Sequence, residues 1–147
     1  MNKSISNQRV LNVAYQTGSM GVYAIDKIYD AIENEKLNIL VLKQKDKYDE
    51  IMKKCEKYAQ KYALDISDIN MVLKAMSFAS IKVKSALDNS TAHLCEMLIQ
   101  GTTMGITTLL KEMGENDCAD EKIRRLAYDL QTAMEEFVDS LKTLLIN

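Results

Sequence analysis

The chain has 147 residues, 47% apolar and 27% charged, with 19 basic against 21 acidic side chains and a net charge of −2. That length predicts one domain with a real core, and the near-neutral balance argues against nucleic acid or an anionic membrane as a partner. Proline is absent, which argues against an all-β sandwich or barrel with its many tight turns.

No stretch approaches the roughly 18 consecutive apolar residues of a transmembrane helix. Residues 1–6 carry one lysine with no apolar core behind it, so no secretory signal is expected. Cys55, Cys95 and Cys118 are odd in number, far apart and without a CxxC pair. They read as free thiols of a cytoplasmic protein, with no zinc-type spacing among them.

Five segments have helical periodicity and none alternates like a strand. The first runs from about Gln8 to Glu35, with Leu11, Ala14, Gly18, Gly21, Ile25, Ile28 and Ile32 spaced three and four apart in one stripe. After a polar break at Asn34, Glu35 and Lys36, the second segment aligns Leu37, Val41, Gln44, Tyr48, Ile51, Cys55, Tyr58 and Tyr62. The break predicts a helical hairpin over 8–63 in preference to one helix of about 55 residues.

Asp65 or Ser67 can cap a third segment, 68–86, whose face is Val72, Met76, Ala79 and Val83. Ser90 or Thr91 can cap the fourth, which runs from about Ala92 to Met113 and is expected to stop at Gly114. The fifth, from about Asp120 to Leu145, aligns Ile123, Leu126, Leu130, Ala133, Phe137, Leu141 and Leu144. A second hairpin over 92–146 follows.

The chain repeats itself. Gln16-Thr17-Gly18-Ser19-Met20-Gly21-Val22 and Gln100-Gly101-Thr102-Thr103-Met104-Gly105-Ile106 share Q-x-x-[ST]-M-G-[VI] at an offset of 84 residues. The same offset maps the first hairpin onto the second, which predicts pseudo-two-fold symmetry. Glycine inside a helix costs roughly 0.5–1 kcal/mol relative to alanine. Gly18, Gly21, Gly101 and Gly105 are therefore expected where something comes close, most simply the first and fourth segments crossing near Gly21 and Gly105. Met20 and Met104 would pack on either side. The competing reading is a mid-bundle ligand site lined by Gln16 and Gln100. Phosphate binding is not supported, because these glycines follow no strand.

Two pseudo-symmetric hairpins joined by a long connection that carries the third segment describe an all-α four-helix bundle with one crossover. On the residues Gln16–Val22 and His93–Gly105, the chain resembles small uncharacterised ferritin-like proteins of bacteria. That resemblance implies a di-iron site with a Glu from each of two helices and Glu-x-x-His from each of the other two. The single histidine rules out two such motifs. His93 and Glu96 form only a His-x-x-Glu pair near the start of their helix, and the first segment has no carboxylate between Gln8 and Val22. These two residues are the weak metal candidates, for iron or manganese. The bland alternative makes His93 a neutral histidine of the capping region.

No catalytic or cofactor-binding constellation is present, and one histidine leaves little room for general acid–base work. The expected function is that of a non-catalytic bundle acting through self-association or protein interaction, by default as a homodimer. Met52, Met71, Met113 and Met134 are its candidate contact residues. The alternatives are a degenerate ferritin-like metal-binding protein or oxidase, and a carrier of a small apolar ligand.

Overall fold

The computed structural model describes residues 2–66 and 90–147, and all its regular structure is helical. Helix α1 spans Lys3–Ile28, a 3-10 turn follows at Tyr29–Ala31, and α2 spans Glu35–Lys61. Helices α3 and α4 span Thr91–Glu115 and Glu121–Ile146. The predicted third segment, 68–86, lies outside the described residues, as do Met71 and the candidate cap Ser67.

Capping explains the boundaries. Helix α1 begins five residues before the apolar stripe suggests, because the Asn2 side chain accepts a hydrogen bond from Ser4 N at 2.7 Å. Asn34 does the same for Leu37 N at 2.9 Å and Ser90 for His93 N at 3.2 Å. Asp120 caps α4 through Lys122 N at 3.0 Å.

Two helix ends differ from expectation. Gly114 does not stop α3, which continues to Glu115 with Asn116 as its cap. There Arg124 Nη1 donates to the carbonyls of Met113 and Asn116 at 3.1 and 3.0 Å, satisfying orphan acceptors. Helix α2 ends on a left-handed alanine, Ala63 with φ 53°, and Leu64 N reaches back to Ala59 O at 2.8 Å. That is the glycine-type stop without the glycine.

Side-chain ties set the directions of the helices. Asp65 N donates to Gln8 Oε1 at 3.0 Å, so the exit from α2 lies beside the start of α1. Asp120 N donates to Asn7 Oδ1 at 2.6 Å, and Ser6 Oγ lies 3.0 Å from Cys118 Sγ. The α3–α4 loop therefore lies at the same end. Helices α2 and α3 run opposite to α1, and α4 runs parallel to it. Helix α1 packs on α2 and α3, and α4 packs on α3 and α2. With α3 about 37 Å long, the chain leaves α2 at one end and re-enters α3 at the other.

The predicted stripes form the core. Leu11, Ala14, Ile25 and Ile28 of α1 meet Leu37, Val41, Tyr48, Ile51 and Cys55 of α2 in one buried cluster. Ile123, Leu126, Leu130, Phe137 and Leu141 of α4 complete it with Leu94, Leu98 and Leu109 of α3.

Candidate functional site

The middle of the bundle is polar where the stripes meet. Gln44 and Tyr48 of α2, Thr17 of α1 and Thr102 of α3 are all buried. Gln44 and Thr102 lie within hydrogen-bonding reach of the Tyr48 hydroxyl, and Gln44 Nε2 donates to Ala133 O of α4 at 3.4 Å. The phenol thus joins α2 to α3, and Gln44 joins α2 to α4. Burial pushes the Tyr48 hydroxyl above its ordinary range, because the apolar surroundings disfavour the phenolate.

Gly21 exists for that ring. A Cβ there would stand 2.6 Å from Tyr48 Cζ, so the ring crosses the α1 backbone only because no side chain intervenes. Gly18 similarly admits Met52, whose Cγ would be 3.0 Å from an added Cβ. At Gly105 the neighbours are Met134 Cε at 2.6 Å and Thr17 Cγ2 at 3.5 Å.

Near the expected crossing α1 packs on α3, with Thr17 beside Gly105. Gly18 and Gly21 receive side chains of α2, and Gly105 receives one of α4 together with Thr17 of α1. Each of these three notches receives a large side chain from within the same hairpin. Gly101 has no described atom within 4 Å of such a Cβ and is exposed, as is Gln100, while Gln16 and Met20 are half-buried.

The same filling bears on the ligand reading. Where a ligand would sit between the small residues stand Tyr48, Met52 and Met134. The surface clefts lie elsewhere. One, of about 360 Å³, is lined by Ile25, Asp26, Tyr29, Asp30, Leu42 and Lys45, and the Lys45 Nζ–Asp26 Oδ1 ion pair of 2.7 Å closes on it.

His93 and Glu96 lie together on the first turns of α3, with Nδ1 to Oε2 at 3.9 Å, and the Glu96 side chain is 56% exposed. Among the described residues no group of three or more His, Cys, Asp and Glu side chains is placed to hold a metal ion. The cysteines are free. Burial pushes the Cys55 thiol up to about 12, and burial also raises Cys95, so both are held as poor nucleophiles.

The methionines divide between core and surface. Met113 and Met134 are core residues, and Met52 is half-buried against Gly18. Met113 and Met134 are too buried to supply a contact surface, while Met52 keeps part of its surface exposed. Among the described methionines the exposed one is Met104, at 57%. It belongs to a surface the periodicity argument missed: from Met97 to Leu110 no residue is charged, yet Gln100, Gly101, Thr103, Met104, Thr107, Thr108 and Leu110 are exposed. The signal was legible in the sequence as fourteen uncharged positions in a chain that is 27% charged.

No described helix is long and apolar enough to cross a membrane. Compared with family models, with curated proteins and with solved structures, the chain matches none.

Proposed function

We propose that this chain is a non-catalytic helical-bundle protein that works through protein contact, foremost by self-association. The observation that carries this reading is the uncharged outer face of α3. Solvated helix faces normally carry charge, and an exposed methionine is an adaptable contact residue. An outward surface of Gln, Thr, Gly, Met and Leu over four turns is more weakly hydrated than a charged one and fits a covered one. The protonated thiols Cys55 and Cys95 agree with a non-catalytic role and with a reducing compartment such as the cytoplasm.

The path of the chain, two antiparallel hairpins joined across the length of the bundle, is that of ferritin-like proteins. It supports reading this chain as a bundle of that type without the di-iron ligand set, and the repeated heptapeptide as a trace of pseudo-two-fold symmetry. Tyr48 over Gly21 and Met134 over Gly105 favour the same reading, since each copy receives its filler from its own hairpin.

Light scattering across the micromolar-to-millimolar range tests the function. The expected result is a mass that rises with concentration from 16.7 kDa toward twice that value. A mass that stays at the monomer value throughout overturns the proposal.

A further inference from the structure

We infer that two copies of the chain pair through their α3 helices, antiparallel about a two-fold axis beside Thr103 and Met104, with Glu96 of each copy against Lys111 of the other. This rests on the self-association reading above and specifies its surface, orientation and register.

The argument starts from two charges. Glu96 and Lys111 are both exposed, and they bracket the uncharged stretch. Fifteen residues apart on a helix, they stand roughly 22 Å apart along the axis and about 60° apart around it, so they share one face. Glu96 has only a loose partner in His93 at 3.9 Å, and Lys111 has no ion partner among the described residues.

A helix face with an acid at one end and a base at the other is complementary to its own reversed copy. Antiparallel pairing sets opposite charges together at both ends, whereas parallel pairing sets like against like. A two-fold pair makes the same contact twice, which is the self-complementarity this face has. The occupant that satisfies both ends with one helix is therefore a second copy of this chain.

The register follows from matching the ends. With Glu96 opposite Lys111, Gln100 falls opposite Thr107, and Met104 lies next to the axis. Thr107 and Thr108 hydroxyls donate to Thr103 O and Met104 O at 3.1 and 3.0 Å within their own helix. Those two protons are satisfied before any partner arrives, so covering Thr107 and Thr108 strands no donor. The Gln100 amide then donates to the lone pairs left on Thr107 Oγ1 of the second copy. Two helices overlapping over about 24 Å make a small contact beside the standard interface of about 1,600 Å², so this dimer dissociates on dilution.

Charge reversal tests it. In Glu96→Lys, two lysines face each other at both ends of the pair; in Lys111→Glu, two glutamates do. Each variant alone is expected to weaken self-association about tenfold or more at low salt, with circular dichroism unchanged because both positions are exposed. Mixed one to one, the variants restore opposite charges at both ends, and the mixed dimer is expected to form with wild-type affinity. If the wild type associates and the reversals change nothing, the α3 pairing is wrong while self-association stands. If both variants are weakened and the mixture is not rescued, the antiparallel register is wrong. A wild type that never associates removes this inference together with the reading beneath it.

Discussion

The two copies of the repeated heptapeptide agree at Gly21 and Gly105, which are both covered, and differ at Thr17 against Gly101 and at Met20 against Met104. In α1 both glycines are covered: Gly18 takes Met52 and Gly21 takes Tyr48. In α3 only Gly105 is covered, by Met134, while Gly101 is open and Met104 stands 57% exposed. Both copies thus serve an inner notch, and the second also turns Gly101, Thr103 and Met104 outward. A small residue creates an opportunity for close approach, and the neighbour that uses it comes from elsewhere in the fold.

The helices next to them sharpen the contrast. Helix α2 carries eight lysines and five carboxylates, so its exposed Ile39 and Leu42 stand among charges. Helix α3 has no charge from Met97 to Leu110. Isolated exposed apolar residues need no explanation, but a whole uncharged face does.

The largest test of the comparison is Gly21→Leu. Its Cβ would already overlap the Tyr48 ring, and the ring cannot move without leaving Gln44 and Thr102. The expected loss is about 3 kcal/mol or more in urea unfolding. A loss below about 1 kcal/mol would mean that the notch is not occupied as described.

Titration gives the next effect. In the folded chain the Cys55 thiol keeps its proton to about 12 against an ordinary 9.0. The unfolded chain therefore releases that proton first. The stability tied to this thiol is fully present below pH 9.0 and falls as pH rises toward 12, at about 1.4 kcal/mol per pH unit. Cys55→Ala is expected to flatten the decline measured by urea unfolding between about pH 9 and about pH 11 by one proton's worth. Equal slopes in the two proteins would sink it.

The smallest effect has the opposite sign. Gly101 has room for a Cβ and no positive φ, so Gly101→Ala should raise stability by about 0.5–1 kcal/mol. A destabilised Gly101→Ala protein would show that this glycine, like Gly21, is covered.

Helix existence and buried faces were legible because they depend on short-range periodicity. Leu11, Ile25 and Ile28, or Ile123, Leu130 and Leu141, need only a 3.6-residue repeat and an apolar side chain to declare an inward face. Helix ends were less legible. Gly114 has the right residue type for a stop, but Arg124, eight residues beyond Asn116, satisfies the carbonyls instead. Ala63 has the wrong type and stops α2 all the same, because Leu64 gains a place against the core.

The candidate surface was half legible. The missing charges between Glu96 and Lys111 are plain in the sequence, yet Met104 read as a packing residue and Met134 as a contact. Periodicity cannot separate them, since a methionine suits either side of a helix until its neighbours are known.

By itself, the amino-acid order determined four long amphipathic helices, a cap at Ser90 or Thr91 for one of them, and which stripe of each is apolar. Those depend on residues within a turn or two of one another. Only the tertiary arrangement decided that Tyr48 lies across Gly21 to reach Thr102, that Met134 fills the space over Gly105, and that Gly101 and Met104 remain outside. Such pairings join residues from different helices, and their partners are chosen by how whole faces dock, which no local pattern encodes.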